Sequence, residues 1–236
     1  MGRGIVTAFA AAGATVIAGA RHGPDGDVPG VDVRLADVRD PIQAEALVRD
    51  VAAAYGRLDI VVNNAGGAPH VSVADGSARY HAAVIDLNLI APLTIARAAH
   101  AVMAEQGEGG QILMISSVSA RRPSPGTASY GAAKAGLENL TASLAVEWAP
   151  AVRVNGLTVG PVRTEKSEEH FGDEEGIAAV GATIPMGRTA EPADVGAACL
   201  LLASPLAAYI TGACLRVDGG GERPAFLDAS NARRPE

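Results

Sequence analysis

Leu58-Asp59-Ile60-Val61-Val62-Asn63-Asn64-Ala65-Gly66 is an apolar run that stops abruptly at two asparagines, an alanine and a glycine. A continuous apolar run of this length, rich in β-branched residues, reads as a strand buried on both faces, the kind found inside parallel sheets. The same alternation extends outward in both directions. Residues 4–12 read as a helix ending at Gly13, Thr15 to Gly19 as a strand, and Val31 to Ala36 as a second strand. Residues 41–54 form a helix opened by Pro41 and capped by Asp40. Beyond Gly66 come a long helix over 79–105, a strand from Gln111 to Ile115, a helix over 129–147 and a strand from Val152 to Leu157. A helix over 192–203 and a strand from Cys214 to Val217 close the pattern. Strand and helix in alternation with short links predict an α/β, doubly wound parallel sheet. With no repeat and no dividing linker, residues 1–236 read as one domain.

Composition narrows the function classes. Hydrophobic residues make up 48% of the chain and aromatics only 3%, so Ala, Val, Leu and Ile must build the core. A net charge of −7 argues against nucleic-acid or anionic-membrane partners, which need a basic surface. Cys199 and Cys214 sit in apolar runs and read as core thiols; they suggest no disulfide framework and no metal site, and they fit a reducing, cytoplasmic compartment. The opening Met1-Gly2-Arg3-Gly4 and the apolar residues to Ala20 have the make-up of a signal peptide, but a helix followed by a strand accounts for them better. No apolar run elsewhere reaches the ~18 residues that span a bilayer.

One triplet carries chemistry. Tyr130 and Lys134 are four residues apart, and Ser117 lies thirteen residues before the tyrosine. The chain has seventeen arginines and two lysines, Lys134 and Lys166, so a lysine one turn after a tyrosine stands out. Arginine does not replace lysine where a compact point charge must sit beside a titrating group. Positions i and i+4 share a helix face, and an ammonium near the phenol is expected to lower the tyrosine pKa.

With these residues placed, the chain resembles the short-chain dehydrogenase/reductase family in its compact form, and particularly its 3-oxoacyl-reductase-like members. Asn63-Asn64-Ala65-Gly66 follows a buried strand, Asp37-Val38 ends the preceding one, and Asn88 lies in the long helix. Asn155, Gly160, Pro161, Val162 and Thr164 are similar to the segment that folds over the nicotinamide, with Val159-Gly160 in place of the usual Pro-Gly. Pro185 to Arg188 and Asp218-Gly219-Gly220 complete the pattern. The resemblance departs at the start: Met1-Gly2-Arg3-Gly4 matches only the last glycine of the family's phosphate-binding turn. The family's first strand, expected between the strands at 15–19 and 58–63, is absent from this reading. The expectation is then a start some fifteen to twenty residues upstream, enough for a strand and a glycine-rich loop, or a crippled relative.

The resemblance implies an NAD(P)(H)-dependent oxidoreductase that interconverts a carbonyl and a secondary alcohol. Tyr130 is then the general acid/base, Lys134 its modulator and ribose ligand, Ser117 the group that bonds the substrate oxygen, and Asn88 the anchor of a proton-relaying water. Cofactor contacts fall on Arg21, Asp37, Val38, Asn64, Ala65, Gly66, Tyr130, Lys134, Val162 and Thr164. The strand at 15–19 ends in Ala20-Arg21-His22 with no acid, which favours NADP(H) over NAD(H). Residues 165–183 are expected to form a mobile lid with an acidic start. Arg121 and Arg122 are candidates to steer an acyl-CoA-like anion; a small carbonyl or alcohol stays open. The acidic loop at 104–110 does not suit acyl carrier protein. Enoyl reductases of related fold space Tyr and Lys by seven, which argues against C=C reduction. A homodimer or homotetramer is expected through the helices at 79–105 and 129–147. The alternative is a non-catalytic oligomeric binding protein.

Overall fold

The computed structural model describes residues 1–23 and 29–230. Helix α1 (Gly2–Ala11) leads to strands β1 (Val16–Ala20) and β2 (Val31–Leu35). Helix α2 (Pro41–Tyr55) is capped by Asp40, whose carboxylate accepts from the amides of Ile42 and Gln43, and it ends at Gly56 in the left-handed region, φ 73°. After β3 (Ile60–Asn63) the long helix is interrupted: α3 (Ala78–Ile85) passes through a π turn at Asp86–Ile90 into α4 (Ala91–Met103). Then follow β4 (Gly110–Ser117), α5 (Ala128–Trp148) and β5 (Val152–Val159). Short helices α6 (Ser167–Phe171) and α7 (Glu174–Thr183) precede α8 (Pro192–Ala203), β6 (Cys214–Val217) and α9 (Ala225–Ala229).

Strands β3-β4-β5-β6 form one parallel sheet in that order, and β1 and β2 a second parallel pair. Alternate residues of β4 feed two cores, as a sheet covered on both faces requires. Ile112 and Met114 pack with Val48, Ile95, Ala99 and Leu137 from α2, α4 and α5. Leu113 and Ile115 pack with Ile5, Phe9, Val195 and Cys199 from α1 and α8. The close crossing of α1 and α8 depends on Gly4 and Gly196; a Cβ on Gly196 would stand 2.6 Å from the Gly4 carbonyl oxygen. Cys199 is fully buried there, and burial pushes its thiol up to about 12. The continuous helix Ala78–Met103 is long and apolar enough to cross a membrane by length and composition, yet its Ile95, Ala96, Ala99 and Met103 are core residues packed on the sheet.

One expectation needs correcting. The strand read from Leu58 begins only at Ile60, and all four of its residues are half-buried rather than buried on both faces. The physical reason is that β3 pairs with β4 alone; its other edge and β1 flank a cavity of about 750 Å³. The stretch 165–183, expected to form a lid, contains the two helices α6 and α7. Its acidic residues Glu168, Glu169, Glu174 and Glu175 occupy first turns, where carboxylates suit the helix dipole, and Asp173 caps α7 through the Gly176 amide.

Candidate active site

Three elements converge at the carboxyl end of β4, where open α/β sheets place their ligands. Ser117 is the last residue of β4, Tyr130 and Lys134 lie on the first two turns of α5, and Asn88 lies in the π turn. The Ser117 hydroxyl acts to lower the Tyr130 pKa, but burial is the larger effect and leaves it above the ordinary value. Lys134 is 3% exposed and donates from Nζ to the Ile115 carbonyl at 2.8 Å. Burial lowers its pKa to about 8. Its ammonium lies 5.6 Å from the centroid of the Tyr130 ring. The expected net lowering of the tyrosine pKa by the lysine is therefore not met: desolvation of the phenol outweighs the opposing effect of Ser117.

Asn88 is fully buried. Its Nδ2 donates to the carbonyls of Val84 (2.8 Å) and Gly67 (2.9 Å), and its Oδ1 accepts from the Gly67 amide (2.9 Å). The side chain thus clamps the loop after β3, and the π turn lets it face that loop from inside the helix. The loop runs so close that a Cβ on Gly66 would stand 2.7 Å from Asn88 Oδ1 and 3.2 Å from Lys134 Nζ. Asn64 opens this loop, and its Oδ1 is buried with no hydrogen-bond partner. Ala65 and Gly66 are exposed beside it.

The remaining expected contacts are scattered more widely. Asp37 is tied to its own turn by Arg39, at 2.6 Å, which with the nearby Arg21 charge holds its carboxyl at about 2. Val38 packs against the core at the rim of the cavity. Arg21 is exposed and forms no ion pair among the described residues. Val162 makes a single parallel bridge to Ala190, and the Thr164 amide donates to Ser167 Oγ at 2.8 Å where α6 begins. Asn155 is not with them: it is buried mid-strand and ties β5 to the Ile210 carbonyl and the Ala213 amide. Arg121 and Arg122 pair with Glu138 and Glu222, so neither is a free cation for an anionic substrate.

Sequence reasoning missed the Ile115 carbonyl and the Gly67 backbone, because backbone partners leave no residue-type signal. It also missed His81, whose Nδ1 lies 2.5 Å from Ser129 Oγ beside Tyr130. For a nicotinamide dinucleotide the fit is favourable at two places: the unpartnered Asn64 oxygen and the Gly66 approach leave hydrogen-bonding room beside Lys134, and Arg21 offers a cation at the end of β1.

The family model described as Enoyl-(Acyl carrier protein) reductase matches residues 1–222. Among curated proteins, L-rhamnose 1-dehydrogenase (NAD(P)(+)) of Azotobacter vinelandii is 36% identical over 78% of this chain and 73% of its own length. The 3beta-hydroxysteroid dehydrogenase 1 of Eggerthella lenta is 40% identical over 78% of this chain and 71% of its own. The ligand-free aldohexose dehydrogenase of Thermoplasma acidophilum superposes with a TM-score of 0.89 at 30% identity, covering 100% of this chain and 92% of that one. These relatives are dehydrogenases, which leaves the non-catalytic alternative without support.

Proposed function

Because the chain belongs to the short-chain dehydrogenase/reductase family, and so is a nicotinamide-dependent oxidoreductase of carbonyls and alcohols, we propose that Tyr130 is its general acid/base and NADP(H) its preferred cofactor. The observation that carries this reading is Lys134, buried one turn after Tyr130 with its ammonium 5.6 Å from the centroid of the tyrosine ring, beside the end of the strand that carries Ser117. A phenol whose pKa is raised is fully protonated at neutral pH and suited to deliver a proton to a carbonyl oxygen becoming an alkoxide. Ser117 shares the charge on that oxygen. The lysine ammonium offsets the phenolate left behind, and the reverse transfer serves alcohol oxidation. The nicotinamide, when bound, supplies or takes the hydride.

Lys134, Asn64 and Gly66 would line the nicotinamide half, with Val162 and Thr164 across from them. Arg21 would meet a 2′-phosphate bidentately. Asn88 acts by holding the Asn64–Gly67 loop, which leaves any water relay to backbone groups. Residues 165–183 would cover the substrate, and α6 and α7 would then move as helical pieces. The substrate class is a small carbonyl or secondary alcohol; sugar and steroid alcohols, as named for the relatives, are the first to assay. A cytoplasmic homodimer or homotetramer is part of the same reading. Replacing Tyr130 with phenylalanine and measuring turnover tests it.

A further inference from the structure

The first turn of α5, which carries Tyr130, is not capped by its own N-cap residue: the Thr127 side chain makes no bond to it. The Thr127 hydroxyl is engaged with Ser124 Oγ instead, at 2.6 Å. A first turn without a cap leaves its amides unpaired and tends to fray. Among the described residues, one side chain from another helix reaches this turn. His81, on α3, stands with Nδ1 2.5 Å from Oγ of Ser129, the residue before Tyr130. The pair is exclusive. The other ring nitrogen, Nε2, is buried with no hydrogen-bond partner. The ring is also fixed in place: a Cβ on Gly76 would stand 2.5 Å from Nε2, and the Tyr80 ring meets the imidazole edge-on with centroids 5.2 Å apart. Helix α3 itself is tied down at two points. The Tyr80 hydroxyl donates to the Pro69 carbonyl at 2.7 Å, and the Val84 carbonyl accepts from Asn88.

Packing alone does not call for a histidine here. A leucine of similar bulk would fill the space without an unpartnered buried nitrogen. We propose that His81 is a positioning residue for Tyr130: through Ser129 it fixes the first turn of α5, and with it the phenol. The proposal rests on the reading of Tyr130 as general acid/base. Lys134 has its own anchor, since its ammonium is held by the Ile115 carbonyl of β4 at 2.8 Å. Tyr130 lies one turn further out, at the end of the helix, and that anchor does not reach it. Proton delivery needs heavy atoms about 2.6–3.2 Å apart, and a misplacement of about 1 Å costs about a hundredfold. A turn free to unwind would lose that geometry; the bond from α3 prevents it.

The test compares His81→Leu, Ser129→Ala and the double variant with wild type, using an alcohol that the wild type oxidises. Each single variant should lower kcat about 10–100-fold, with KM and NADP(H) affinity within a few fold and melting close to wild type. The double variant should be no worse than the weaker single one, because both remove the same bond. His81→Asn, whose amide stands where Nδ1 does, should restore most of the rate. In a Tyr130→Phe protein, His81→Leu should cost nothing further. Hydrogen exchange reads the tie without substrate: the amides of residues 131–133, which donate to carbonyls of the first turn, should exchange faster in both single variants. Unchanged exchange would overturn the proposal whatever Tyr130 does. So would wild-type kcat in either single variant, additive losses in the double variant, or a further loss in the Tyr130→Phe protein, which would place His81 on the substrate itself. Near-normal turnover by Tyr130→Phe with faster exchange in His81→Leu would instead sink the reading of Tyr130 and leave the tie between the helices standing.

Discussion

Lys134 Nζ is held by the Ile115 carbonyl at 2.8 Å, so the side chain that sets the charge of the site is fixed by the backbone of the central strand. That bond crosses from α5 to β4 inside the protein and makes the ammonium part of the core as well as of the site. Its pKa of about 8 puts its proton within reach of ordinary assay conditions.

The first prediction follows from that value. The folded pKa, about 8, lies below the ordinary lysine value of 10.5, so between them the unfolded chain binds more protons than the folded one. Stability from this group therefore rises with pH across that window and is lowest below it. Cys199 and Tyr130, whose pKa values are raised, act oppositely toward pH 10 and above. The contribution is read as the difference between wild type and Lys134→Met, which should change by about 2–3 kcal/mol from pH 8 to pH 10 in urea unfolding. A difference that is flat with pH would mean the lysine is not desolvated.

Asn88→Ala leaves the Gly67 amide, the Gly67 carbonyl and the Val84 carbonyl without their partner. Unfolding free energy should fall by about 2–4 kcal/mol, the cost of stranded buried polar groups. The loop at 64–67 should also become more open to proteolysis. An unaltered urea midpoint would show that the clamp contributes nothing.

Much of this was legible in the chain. Asp40 and Pro41 mark the start of α2, and the runs at 192–203 and Cys214 to Val217 have the bounds expected of them. The π turn was not legible, because one extra residue per turn leaves the apolar period of the long helix nearly intact. Helices α6 and α7 were obscured by their acidity, although Asp173 followed by Glu174 and Glu175 is a helix-start signal. Asn155, read only as part of the segment that resembles the nicotinamide-covering one, has partners more than fifty positions away that no local pattern announces. The sign of the Tyr130 shift depends on burial, which spacing alone does not give.

Arg21→Asp should invert cofactor choice. A carboxylate there repels a 2′-phosphate and accepts from a ribose hydroxyl. The ratio of kcat/KM for NADP(H) over NAD(H) should fall at least tenfold, with little change in melting temperature because Arg21 is exposed. An unchanged ratio would make the arginine a bystander.

Self-association through α3–α4 and α5 is expected from the apolar side chains those helices expose, Ile85, Ile90 and Val146, the last 82% exposed. Light scattering at micromolar concentration should give a dimer or tetramer, and Val146→Glu should reduce it. A monodisperse monomer would contradict this.

The most direct test of the central claim is turnover by Tyr130→Phe with a sugar or steroid alcohol that the wild type oxidises. The account predicts a fall in kcat of about 10²–10⁴, with nicotinamide cofactor affinity within a few fold of wild type. Turnover near the wild-type rate, with cofactor still bound, would contradict it.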